Sequence, residues 1–165
     1  MSLIKLNATY GLTGTLPAVS GANLTNIDGG KILQSVSATD TNERSTTSTS
    51  FVTISNTLTV NITPSATSSK IFVTVSTSLY SYTTNKSAYL TIYRDSTNLG
   101  NAQGLIRSLN QDGTGGGAGT CAVLDSPSTT SQVTYQVYMR ADSSSSGASV
   151  NANTSGFITA FEVGA

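Results

Sequence analysis

From residue 31 onward, apolar and polar positions alternate in short runs. In KIFVTVSTSLY (70–80), Ile71, Val73, Val75 and Leu79 fall on one face, and Lys70, Thr74, Ser76 and Ser78 on the other. That period of two is the signature of a strand with one buried side. VTYQVYMR (133–140) repeats it, with Val133, Tyr135, Val137 and Met139 against Thr134, Gln136, Tyr138 and Arg140, as does LTVNI with Leu58, Val60 and Ile62. AYLTIYR (88–94) sets Leu90 and Ile92 against Tyr89, Thr91 and Tyr93, and GFITAFEV (156–163) sets Phe157, Phe161 and Val163 against Ile158 and Glu162. These last two are expected to pack something on both faces. Fainter patterns predict strands at 31–38, 50–54, 104–109 and 120–125, giving eight or nine in all, and no segment shows a helical period.

Between the runs lie turn-forming stretches: TPSATSS (63–69), YTTNKS (82–87), NQDGTGGGAG (110–119), SPSTTS (126–131) and DSSSSG (142–147). They are too short and too rich in glycine for crossover helices, so consecutive strands should be antiparallel. The predicted fold is all-β, an antiparallel two-sheet sandwich or jelly-roll-like head over residues 31–165.

Residues 1–30 break the pattern. Leu3, Ile4, Leu6, Leu12, Leu16, Val19, Leu24 and Ile27 are scattered among glycine, proline and small polar residues. Such a segment cannot bury its own side chains, and Gly and Pro oppose a helix. It reads as an extended N-terminal arm that needs another surface, either copies of itself around a symmetry axis or a groove on a second protein. The competing reading is a solvated tail.

Composition narrows the function classes. Eight Lys and Arg balance eight Asp and Glu, only 10% of the 165 residues are charged, and no basic cluster exists, so no nucleic-acid partner is expected. Ser and Thr fill about a third of the chain, while Val, Ile, Tyr and Phe recur in short runs, which argues for a folded rather than a disordered protein. No run approaches the roughly 20 apolar residues of a membrane span, and the first residues lack the apolar core of a secretory leader. Neither membrane insertion nor a leader is expected. One cysteine, Cys121, excludes an intrachain disulfide and reads as a buried thiol, and the five Asn-x-Ser/Thr sequons are what chance supplies in so hydroxyl-rich a chain.

Three stretches, GTLPAVSGANLTNIDGGKILQ, TSTSFVTISNTLTVNITPSATSSKIFVTVS and SGFITAFEVGA, carry a resemblance to phage tail-fibre and related virion appendage proteins. The resemblance implies a trimeric jelly-roll head with a structural or receptor-binding role in the virion, docked by its arm onto other virion proteins in the tail or capsid. It differs from a long fibre in having one linker and one head without a repeated shaft, which leaves a short knob or a capsid decoration protein open. A free carbohydrate-binding or adhesin module is the alternative from another class.

Little catalytic chemistry is available to the sequence. With no histidine, Ser-His and Cys-His pairs and the usual zinc sets cannot form. Asp28, Asp40, Glu43, Asp95, Asp112, Asp125, Asp142 and Glu162 could in principle form a glycosidase pair, but none sits in a motif. GTGGGA (113–118) formally fits a dinucleotide pattern yet runs into a strand, not a helix, and Asn110 and Asp112 lack the glutamate that would complete a calcium loop. No enzyme activity, cofactor or metal is expected. Contact with a host-surface glycan is sought at Tyr80, Tyr82, Asn85, Lys86, Asn110 and Asp112, in loops 81–87 and 110–119, and an oligomer interface at Tyr89, Tyr93, Tyr138 and Ile158.

Overall fold

The computed structural model describes residues 32–113 and 116–164; the arm predicted at 1–30 lies outside them. Among the described residues twelve strands follow one another: β1 Ile32–Asp40, β2 Arg44–Thr46, β3 Val52–Thr53, β4 Thr59–Ile62, β5 Lys70–Ser81, β6 Lys86–Arg94, β7 Thr97–Asn98, β8 Ile106–Asn110, β9 Gly116–Asp125, β10 Val133–Ala141, β11 Ala148–Val150 and β12 Gly156–Val163. No helix interrupts them. The all-β expectation holds, and three short strands, β2, β7 and β11, join the predicted ones.

Every strand pairing is antiparallel. In the first sheet β5 has β9 on one side and both β12 and β11 on the other, with β1 beyond β12 and β2 beyond β11. In the second, β10 lies between β6 and the β4/β3 pair, and β6 carries β8 and β7 on its far side. Counting β1/β2, β3/β4, β7/β8 and β11/β12 each as one interrupted strand gives two facing four-strand layers in the order of a jelly roll. The two predicted faces of β5 and β10 explain the layering: Ile71, Val73, Val75 and Leu79 meet Val133, Tyr135, Val137 and Met139 in one core.

Two buried carboxylates fix where strands begin and end. Asp40, at the end of β1, accepts the Asn42 N–H at 3.0 Å, the Arg44 Nε–H at 3.0 Å and the Thr57 hydroxyl at 2.8 Å. Burial alone would raise its pKa; the donors outweigh it and hold the carboxyl well below the usual range. At the opposite end Glu162 points inward from β12 and accepts the Ser65 N–H at 2.7 Å, the Ser65 hydroxyl at 2.6 Å and the Gln34 amide at 2.6 Å. Those bonds fasten the 63–69 loop to the first sheet.

The outward sides of the two sheets differ. Loop 95–105 folds back over the second sheet: Leu99 N–H donates to Ile92, Leu105 N–H donates to Leu90, and the Thr91 hydroxyl donates to Asn98 at 2.6 Å. This loop covers Thr91, and Arg140 stacks over the Tyr89 ring, so the middle of β6 is buried on both faces. Among the described residues no comparable segment covers the first sheet.

Candidate surface-contact site

The hairpin geometry collects loops 47–51, 82–85, 111–113 and 142–147 at one end of the head, because each follows a strand running the same way. Loops 63–69 and 126–132 lie at the other end, where Ile32 and Val163 are paired. The six predicted contact residues therefore share one end, remote from the point where the described chain begins.

They do not share one role. Asn110 is 1% exposed; its amide donates to the Ser81 carbonyl at 2.9 Å and its Oδ1 accepts the Gly113 N–H at 2.8 Å. It is a turn-former rather than a contact group, and in that respect the sequence reading is corrected. Asn85 takes the left-handed φ of 60° that its hairpin requires and gives its backbone N–H to Asn110. Lys86 begins β6 and pairs with Asp142 at 3.7 Å. Asp112 is exposed on the shortened glycine loop, since Gly116–Gly119 belong to β9 and not to a loop as predicted.

Tyr80 and Tyr82 stand two residues apart on the outward side of the first sheet, and each ring rests on a glycine. A Cβ on Gly116 would come within 1.8 Å of the Tyr80 ring, and one on Gly147 within 2.3 Å of the Tyr82 ring. Only glycine lets the rings lie this close to the backbone. Tyr82 is 57% exposed, and its hydroxyl donates to Glu43 Oε1 at 2.6 Å. Burial and the Glu43 carboxylate raise the Tyr82 pKa, so the phenol remains a neutral donor. Beside Tyr80 opens a cleft of about 270 Å³ lined with Ser76, Ser78, Thr154 and Ser155 over a floor of Gly117 and Ala118. Ser78 and Thr154 share a hydrogen bond of 3.1 Å. An aromatic ring beside uncharged hydroxyls suits a polyol that offers both C–H faces and hydroxyl groups. Thr154 and Ser155 were missed in the sequence because nothing local announces that they fold across to Ser78.

The predicted interface residues are also redistributed. Ile158 is fully buried opposite Val75 in the core, and Tyr89 is 5% exposed, with Arg140 stacked 3.8 Å above its ring and its hydroxyl donating to Asp142 at 3.1 Å. Neither presents an outward face, so the sequence reading is corrected for both. Tyr93 and Tyr138 are half-buried and stack on each other with centroids 4.0 Å apart on the second sheet.

The carboxylates are dispersed in separate interactions. Asp125 takes a bidentate contact from Arg94, 2.8 Å to each oxygen, and the Tyr135 hydroxyl at 2.6 Å, while Asp95 accepts the Thr134 N–H at 3.0 Å. Among the described residues no three acidic or cysteine side chains gather to hold a metal. Cys121 is 8% exposed, and burial pushes its pKa up to about 12, which leaves the thiol protonated and unreactive at neutral pH. No protein-family profile and no curated protein matches the chain.

Proposed function

We propose that this chain is a non-enzymatic structural component of a phage virion, a tail-fibre or knob head that works as a homotrimer. In this reading the arm, residues 1–30, docks on another virion protein and the far end of the head contacts a host-surface glycan. The observation that supports it best is the polarity of the head. The arm joins at Ile32, at one end, whereas Tyr80, Tyr82, Lys86 and Asp112 gather towards the other. A body held at one end and read at the other has this layout. The lack of histidine and the separate engagement of Asp40, Asp125 and Glu162 support a binding role over hydrolysis.

The test is particle incorporation. A chain starting at Lys31 should fold with a strand-type circular dichroism spectrum yet fail to join particles, and light scattering on the full chain should report three chain masses. Attachment of the truncated head as efficiently as the full chain would remove the arm from the mechanism. A second reading, a free carbohydrate-binding module, draws on the Tyr80 cleft alone. Saccharide binding without particle association would favour it, and localisation on the shell instead of the tail would favour a capsid decoration protein.

A further inference from the structure

The cleft beside Tyr80 opens where the first sheet parts. β5 pairs with β12 as far as Ser76 and with β11 from Leu79 onward, so among the described residues Thr77 and Ser78 have no strand partner on that side, and the 151–155 turn lies against them instead. The turn is fastened in place. The Thr77 hydroxyl donates to Asn151 Oδ1 at 2.7 Å, the Thr154 hydroxyl donates to Ser78 Oγ at 3.1 Å, and a Cβ on Gly156 would come within 2.3 Å of Asn151 Oδ1. The wall of the cleft is therefore set before any ligand arrives, which spares part of the ordering cost of binding.

Ser76, Ser78 and Tyr80 occupy alternate positions of β5 and share its outward side. Directly across from Ser76, on β12, is Phe157, which is 49% exposed. An aromatic ring thus stands at each end of a strip of hydroxyls, Tyr80 on Gly116 at one end and Phe157 at the other. Four residues of strand separate the Tyr80 row from the Ser76 row, roughly 13 Å. One sugar ring, no broader than a phenol ring, cannot reach both platforms, whereas several linked in a line can. Among the described residues no charged side chain lines the cleft, so an ionised sugar would shed water there without gaining a partner. An extended peptide would find no strand edge to join, because β5 is paired with β9 on one side and with β11 and β12 on the other. We infer that this strip binds a linear stretch of an uncharged oligosaccharide, about three units or more, lying along β5 with sugar faces stacked on Tyr80 and Phe157 and the hydroxyls between them meeting Ser76, Ser78, Thr154 and Ser155. It rests on the host-glycan reading above and adds the length, the direction and the second aromatic platform.

The experiment uses the full chain, unaltered and as Phe157→Leu, Phe157→Tyr and Ala118→Leu. Each is applied to an array of neutral and acidic oligosaccharides graded in length from single sugars upward, and to host cells before and after periodate, which destroys sugar diols. Affinity should rise about tenfold between single neutral sugars and neutral chains of about three units, with no such rise for acidic chains. Phe157→Leu, which keeps the apolar bulk and removes the ring, should lose that rise and leave single-sugar binding unchanged, while Phe157→Tyr should retain it. Ala118→Leu, exposed on the cleft floor opposite Ser78, should block both, with circular dichroism unchanged throughout. Equal affinity for single sugars and long chains, a rise that survives Phe157→Leu, or a preference for acidic chains would overturn the inference. If no glycan on the array binds, the cells decide. Periodate-sensitive binding that Phe157→Leu weakens would support the strip. Periodate-sensitive binding that neither Phe157→Leu nor Ala118→Leu alters would overturn it while leaving the host-glycan reading standing, and cells that show no periodate-sensitive binding would overturn both.

Discussion

Glu162 is a carboxylate without solvent exposure that stays ionised because four donors converge on it. Burial would raise its pKa, but the Ser65 hydroxyl, the Gln34 amide, the Ser69 hydroxyl and the Ser65 N–H together lower it from 4.5 to about 2. Because the folded-state pKa is depressed, its contribution to stability is present above pH 4.5 and is lost as pH falls towards about 2. Urea midpoints should therefore decline across that window, and Glu162→Gln should flatten the decline while costing on the order of 1–3 kcal/mol at neutral pH. At the surface, Tyr80→Ala should weaken saccharide binding about tenfold, the ~1.4 kcal/mol expected of one aromatic platform, without unfolding the head. Isothermal titration with simple pyranosides against the acyclic control ribitol measures it. An equal loss for ribitol would argue against ring stacking.

At the scale of the element, β5, β10 and β4 were legible because each is long enough, or regular enough, for alternation to show. Strands of two or three residues, such as β2, β7 and β11, contain at most one full period and leave no such trace. Alternation also states which residues share a face but not what covers it. Phe157 and Ile158 were correctly separated, yet only the pairing of Ile158 with Val75 shows which of them enters the core. Tyr89 was misjudged for the same reason, since its cover is Arg140 of β10, distant in sequence. Asn110 and Thr154 depend on contacts 29 and 76 residues away, beyond any local pattern. The β11–β12 interruption gives an element-scale prediction. Asn151 holds a φ of 59°, accepts the Thr77 hydroxyl at 2.7 Å and donates to the Asn42 carbonyl at 3.2 Å, joining two strand breaks. Asn151→Gly loses the bonds but keeps the conformation, whereas Asn151→Ala loses both, so denaturant midpoints should place alanine about 1 kcal/mol below glycine.

For the whole molecule, two layers that share one core leave little room for partial structures. Removing residues 156–165 takes away β12, and with it the partner of both β1 and half of β5, so that truncation should abolish cooperative unfolding and bind a dye for exposed apolar surface. Incubating the full chain with host envelope glycans should release no reducing ends; turnover abolished by a single Asp→Asn or Glu→Gln change would reverse the non-enzymatic reading. The pairing of β1 with β12 has a further consequence, in time rather than in space. A ribosome makes β1 more than a hundred residues before the strand it must lie against, and β5 likewise waits for β9 and then β12. Distant partners of this kind place folding on the slow, millisecond-to-second side of the range for single domains. Throughout that wait the edges of β1 and β5 stand unpaired. A newborn copy is therefore most vulnerable to its siblings before its sheets close, and rapid synthesis in quantity should favour aggregation, which slower expression at lower temperature should relieve.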